Sequence, residues 1–188
     1  MTVPVLFAFA ESNPKVKLTI LTKKQFAPLF RDVKTAIVIL ADFNDLHKGV
    51  LGLYKLSRRI RNLNIDAVAD LHNVLRTNIL KYFLFGIKFN QINKGRSQKR
   101  ELTEGINFSP LRSTPERYAD VFRSLGFSYE LNTPSPRAPK KLANSILNAL
   151  GRFSSAVIGV APFAAYASKT YPILKMDKVI YELQKKNI

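Results

Sequence analysis

The chain has 188 residues, 46% of them hydrophobic, a globular level that suits one ordinary domain and the start of another. It has no cysteine, which excludes disulfide frameworks, thiolate metal sites and cysteine nucleophiles, and no apolar run reaches the roughly 18 residues of a membrane span. Thirty Lys and Arg against thirteen Asp and Glu leave a net charge of +17, which favours polyanionic partners: nucleic acid, phospholipid or a phosphorylated glycolipid.

The opening "MTVPVLFAFAES" has the apolar middle of a signal peptide without the basic region that should precede it, so it reads as a buried helix over about residues 2–12. Short β-branched or apolar runs then recur: "KLTILT" (17–22), "TAIVIL" (35–40), "DAVADL" (66–71), "IKFNQI" (87–92) and "AVIGVA" (156–161). Such runs, alternating with amphipathic helices, predict an α/β fold with a parallel sheet covered on both faces.

Residues 49–63 set Val50, Leu53, Leu56, Ile60 and Leu63 at helical spacing, with Lys55, Arg58, Arg59 and Arg61 largely on the other side. Another helix is expected over 74–84. In "TPERYADVFRSLGF" the pattern predicts Thr114 as N-cap, Pro115 in the first turn and Gly126 as the stop. The proline-rich "ELNTPSPRAPKK" (130–141) reads as an exposed connection, followed by a helix over about 139–151. "VIGVAPFAAYASKTYP" (157–172) reads as strand, loop and helix opening. In the remaining "ILKMDKVIYELQKKNI", Ile173, Met176, Val179, Ile180 and Leu183 share a helical face that needs a sheet.

The pattern implies two incomplete ends. A stretch of some fifty residues with one strand is near the lower limit for independent burial. A parallel α/β unit also normally starts with a strand feeding its first helix, and in doubly wound sheets that strand is usually central, so its absence would leave a gap in the sheet.

Taken in order, "TVPVLFAFAESNPKVKLTILTKKQFAPLF", "IDAVADLHNVLRTNIL", "INKGRSQKRELT", "TPERYADVFRSLG" and "IGVAPFAAYASKTYP" carry a resemblance to the lipopolysaccharide heptosyltransferases, glycosyltransferase family 9. The resemblance implies the GT-B architecture of two Rossmann-like domains: residues 1–130 as an acceptor-side domain lacking its first strand, 131–151 as linker and connecting helix, and 152–188 as the beginning of a nucleotide-sugar domain. It also implies an inverting, metal-independent transfer of heptose from ADP-heptose to the lipid A–Kdo inner core of lipopolysaccharide. The setting would be cytoplasmic, peripheral to the anionic inner face of the membrane, with no cofactor and no nucleic-acid partner.

Such chemistry needs a base for the acceptor hydroxyl and positive charge for the departing diphosphate. The family's base is the Asp of a Gly-Asp loop, which would lie before Met1; Asp32, Asp42, Asp45 and Asp66 do not occupy an equivalent loop, so no catalytic residue is assigned. An inactive fragment is therefore expected.

On the donor side, "SKTYP" matches the family's Lys-x-aromatic-Pro, which makes Lys169 the candidate for the ADP phosphates; the other reading is a solvated loop lysine. Ala164 and Ala165 stand where relatives carry hydroxyls, so they could contribute backbone only.

On the acceptor side, His72 and Asn73 follow "AVADL" at the carboxyl end of a predicted strand, where open α/β sheets collect ligands; a histidine that merely caps the next helix is the competing reading. Arg76, Lys94, Arg96, Lys99 and Arg100 could form a basic rim for phosphates and carboxylates, or simply a solvated face. His47, in "DLHKG", gives His72 no metal-ligand company.

No G-x-G-x-x-G, Walker loop, zinc spacing or nucleophile elbow is present. A basic nucleic-acid-binding α/β module is the alternative, motivated by the +17 charge and the Arg-rich helix at 58–61, without an RNP, helix-turn-helix or zinc-finger signature.

Overall fold

The computed structural model describes residues 1–131, 142–150 and 158–185, with the backbone alone at 149 and 150. The chain divides into two compact units, Met1–Arg137 and Ala138–Ile188.

The first unit contains α1 (Thr2–Ser12), β1 (Leu18–Thr22), a 3-10 turn (Lys24–Phe30), β2 (Ala36–Leu40) and α2 (Gly49–Arg61). There follow β3 (Ala67–Asp70), α3 (Leu75–Phe83), β4 (Lys88–Gln91), α4 (Arg96–Thr103) and α5 (Thr114–Ser124). All four strands are parallel to their partners but form two separate ribbons. β1 pairs with β2 in the register Leu18–Ala36 to Thr22–Leu40, and β3 pairs with β4 from Ala67–Lys88 to Asp70–Gln91.

Two apolar cores cover opposite faces of these ribbons. The first gathers Val5, Leu6 and Phe9 of α1 with Ala119 and Phe122 of α5, against Leu18 and Ile20 of β1, Val38 of β2 and Ala69 of β3. The second gathers Leu53, Leu56 and Ile60 of α2 with Leu80 of α3, against Leu21, Val68 and Phe89. Alternation along a strand sends successive side chains to opposite faces, so β1 and β3 feed both cores. No ladder joins the two ribbons among the described residues. The single parallel sheet of the sequence reading is thus present as two two-stranded ribbons.

α1 shows why an apolar start folds as a buried helix. Val5, Leu6, Phe9 and Ala10 lie one turn apart on a single face, and all are buried. The Phe9 ring lies 4.5 Å from Phe122, 5.1 Å from Phe127 and 5.4 Å from Tyr129, centroid to centroid. Burying a ring of this size contributes about 2–3 kcal/mol. The helix ends where Asn13 donates to the Phe9 carbonyl from its backbone at 2.9 Å and its side chain at 3.1 Å.

α2 and α5 follow their sequence patterns with informative differences. Arg58, Arg59 and Arg61 occupy the last turn of α2, where positive charge complements the helix dipole. Arg61, exposed on that face, also donates to the carbonyls of Phe83, at 3.1 and 2.9 Å, and of Phe85, at 2.7 Å, closing the end of α3. At α5 the cap is Ser113, not Thr114; its hydroxyl accepts from the Glu116 amide at 3.3 Å, which places Thr114 inside the helix. Gly126, at φ +102°, ends the run as expected, since a left-handed residue after a helix favours glycine.

In the second unit, α6 spans Asn144–Leu150, a 3-10 turn spans Ala167–Lys169, and α7 spans Ile173–Lys185. The predicted strand at 156–161 is not formed over Ile158–Ala161, which join no ladder; residues 156 and 157 lie outside the described residues, as do 132–141 of the predicted connection. A strand exists by virtue of a neighbouring edge, and the described residues of the second unit contain no other strand. On α7 the predicted apolar face leaves Ile173 and Val179 exposed, with Met176, Ile180 and Leu183 only half-buried.

Candidate functional site

The acceptor-side residues singled out in the sequence follow the carboxyl ends of β3 and β4. The organising group is one the sequence reading did not single out, Asp70, the last residue of β3. It is buried at 6% exposure. Its Oδ1 accepts from the backbone amides of His72, at 2.9 Å, and Asn73, at 3.0 Å, and its Oδ2 accepts from Gln91 Nε2 at 2.9 Å. Burial pushes the Asp70 carboxyl up, but hydrogen bonds from Gln91, Asn73, Thr77 and His72 together outweigh it and hold the group below the usual carboxylate range. Asp70 is thus a charged peg around which the turn folds. It is a poor proton acceptor.

This peg sets the candidates in place. Asn73 sits at φ +44°, a left-handed position that asparagine tolerates, and its side-chain amide donates to the Ile92 carbonyl at 2.9 Å. Lys94 returns the link from the β4 side, its ammonium donating to the Asn73 carbonyl at 3.0 Å. His72, Asn73 and Lys94 are therefore brought together as one two-loop unit. The His72 side chain is exposed and its backbone is what the peg uses; the N-cap of α3 is Val74, whose amide donates to the Thr77 hydroxyl at 2.9 Å, so His72 does not cap that helix.

Arg76 belongs to a neighbouring feature. Its guanidinium lies 4.6 Å from the ring centroid of Phe43, on the loop after β2. In the same loop Asp42 Oδ1 accepts from the amides of Asn44 and Asp45, and the Asp42 amide donates to Nδ1 of the buried His47. Arg96 is exposed in the first turn of α4 and Lys99 is exposed beyond it. Arg100 pairs with Glu104 at 2.7 Å in a solvated pair of little energetic weight. No group of acidic, histidine and cysteine side chains suited to a metal ion occurs among the described residues.

In the second unit Lys169 ends the 3-10 turn, exposed, with its ammonium 5.5 Å from the Tyr166 ring centroid. The Ala164 amide donates to the Thr170 hydroxyl at 3.4 Å, and Ala165 is exposed.

No family model matches the chain, and no characterised protein matches it in sequence. Among solved structures, it is similar to the glycosyl transferase family 9 protein from Veillonella parvula, with a TM-score of 0.68, 17% identity and 95% of this chain covered. The chain has that protein's fold. It spans 54%, about half, of that protein's length. The α/β expectation of a Rossmann-like, GT-B-type arrangement of parallel strands accordingly holds.

What the sequence missed at this site has a physical cause. Asp70 and Gln91 are polar residues whose roles come in part from each other, 21 positions apart. A strand that ends in Asp and is followed by two turn residues was the available signal for Asp70, because such a carboxylate accepts the amides two and three residues on.

Proposed function

We propose that this chain serves in glycosyl transfer, as the acceptor-side portion and the start of the donor-side portion of a nucleotide-sugar glycosyltransferase. The observation that carries the reading is the likeness of 95% of the chain, at a TM-score of 0.68, to a glycosyl transferase family 9 structure. The finer reading is transfer of heptose from ADP-heptose to the lipid A–Kdo inner core of lipopolysaccharide, inverting and metal-independent. It rests on the resemblance of the five segments and on the +17 charge, which suits a phosphorylated glycolipid at an anionic inner membrane surface.

In this reading the loops after β3 and β4 face the acceptor. Lys94, with Arg76 and Arg96, supplies positive charge for phosphate and carboxylate groups, and His72 and Asn73 offer hydrogen bonds to sugar hydroxyls. Lys169, with the backbone amide at Ala165 and that of Ala164 once it exchanges its long bond to the Thr170 hydroxyl, meets the donor diphosphate. The catalytic base is not assigned to any residue of the sequence. Asp70 is unsuited to it, because a carboxylate stabilised in its charged form by several donors has little appetite for a proton.

The test separates acceptor binding from catalysis. The 188-residue chain is titrated with lipid A–Kdo in detergent, followed by surface plasmon resonance at about 0.15 M salt, where long-range attraction is screened beyond about 8 Å. Saturable binding that weakens when Arg76 and Lys94 are both replaced by methionine is expected. Binding that is equally tight to a DNA duplex of the same charge would instead favour the nucleic-acid module. Transfer of heptose by the same chain, measured with ADP-heptose, reports whether it also catalyses.

A further inference from the structure

A second polar site lies between β4, α4 and α5, behind the loop that carries Lys94, and nothing above uses it. Arg117, on α5, is 7% exposed. Its Nε donates to the Arg112 carbonyl at 3.1 Å, Nη1 to the Asn93 carbonyl at 3.3 Å and Nη2 to Gln98 Oε1 at 2.7 Å. All three acceptors are neutral. Among the described residues no carboxylate forms an ion pair with Arg117, and a guanidinium has five N–H donors, so three bonds leave two unspent.

The burial is deliberate in its geometry. Gly95, at φ +60°, lays its backbone against the guanidinium so closely that a Cβ there would overlap Arg117 Nη2, Nη1 and Cζ. The loop is thus shaped to accommodate a buried cation.

Beside it opens a cavity of about 240 Å³, lined among others by Asn90, Asn93, Gln98, Arg112, Arg117 and Ser124. At about 30 Å³ per water that is room for roughly eight waters, or for a small polar group.

The charge of the walls points to the occupant. Asp120 also lines the cavity, but it accepts from Arg112 at 2.7 Å and Arg123 at 2.9 Å. Glu116 accepts from the same two arginines at 3.1 and 2.7 Å. Two carboxylates and two guanidiniums neutralise one another there, and Arg117 remains as one uncompensated positive charge. A buried cation without a counter-charge costs several kcal/mol, and an anion beside it offsets that cost. The amides of Asn90, Asn93 and Gln98 can each donate or accept, as a hydroxylated ligand requires.

We propose that this cavity is a binding site for a small oxyanion, a carboxylate or a phosphate monoester, held by the two remaining N–H groups of Arg117. The site is independent of the glycosyltransferase reading, since it uses none of the acceptor or donor candidates. An oxyanion suits it better than a neutral ligand because guanidinium meets two oxygens of one group at once.

The test is a titration of the ¹⁵N-labelled 188-residue chain with sodium phosphate in one series and sodium acetate in another, with chloride holding ionic strength constant. Saturable shifts of the Asn93, Gly95 and Gln98 amides and of Arg117 Nε–H are expected, absent at Arg58 and Arg59 on α2. The series that saturates at the lower concentration identifies the anion. Arg117→Gln should weaken binding about tenfold or more, the equivalent of losing one charge-assisted hydrogen bond. Should that variant not fold, Ser124→Tyr, at an exposed helical position, fills the cavity and leaves Arg117 in place; it should abolish the saturable shifts. Shifts that rise linearly in both series, or appear equally on α2, reduce the effect to the general attraction of a +17 chain and overturn the proposal. So does saturable binding that survives Ser124→Tyr.

Discussion

Replacing Asp70 by asparagine isolates the charge of the buried peg from its shape. Asparagine keeps an oxygen that can accept from the His72 and Asn73 amides, but those bonds lose their ionic character. On the other side an NH2 group now meets Gln91 Nε2, donor against donor. Gln91 could turn its oxygen inward, yet the same nitrogen also donates to Asn78 Oδ1 at 2.6 Å, so that bond would be surrendered. A hydrogen bond to a charged group contributes about 1.5–3 kcal/mol against about 1 for a neutral one. Weakening two and mismatching a third therefore costs about 2–3 kcal/mol at neutral pH.

Urea unfolding should show this as a lower midpoint at unchanged slope, and the thermal midpoint should fall by about 4–12 °C for a chain of this size. The effect has a pH signature. The folded pKa lies below the unfolded value of about 3.9, so the stabilisation is present above that value and is lost as pH falls through the folded pKa. The gap between native and Asp70→Asn chains should be full at pH 6 and shrink steadily below pH 4. A gap under about 0.5 kcal/mol at pH 6, or one that widens in acid, would refute the peg.

Further substitutions test other parts of the first unit. The buried Tyr129 hydroxyl has no hydrogen-bond partner among the described residues, and burial raises its pKa, so Tyr129→Phe should stabilise the chain by about 1 kcal/mol in urea unfolding. Gly95→Ala adds about 1–2 kcal/mol of left-handed strain to the displacement of Arg117, and should lower the urea midpoint by at least about 2 kcal/mol equivalent. Phe9→Ala removes the ring on which Phe122, Phe127 and Tyr129 converge; a loss of about 3–5 kcal/mol, read by calorimetry, is expected.

How much of this could be read from the residues alone follows from the range of the forces involved. The strands 18–22, 36–40 and 67–70 were legible because apolar runs announce themselves locally, and 88–91 because Ile87 and Phe89 alternate with polar neighbours. Helix α2 was legible because Leu53, Leu56 and Ile60 repeat at its period. Helix α4 was not, since "RSQKRELT" carries no apolar stripe and buries no residue. The strand reading is not met over the described 158–161 for the opposite reason: the local signal is strong, but a ladder is a property of two segments. At the candidate site, the positions of His72, Asn73 and Lys94 at the ends of strands were foreseeable from topology. The carboxylate that holds them left a local signal in its turn bonds to the His72 and Asn73 amides, but its anchoring by Gln91, 21 residues further on, was beyond the reach of the pattern.

The divided sheet has a consequence for how solvent meets this protein. On the edges of β1 and β3 that carry no ladder among the described residues, side chains are tucked under helices while the outward peptide groups are tied to no other strand. Deuterium should therefore enter these strands in alternation: early at the amides turned away from β2 and β4, late at the laddered ones such as Leu18, whose amide donates to the Thr35 carbonyl at 3.2 Å. Two strands padded by apolar side chains thus take up solvent isotope through every other peptide group.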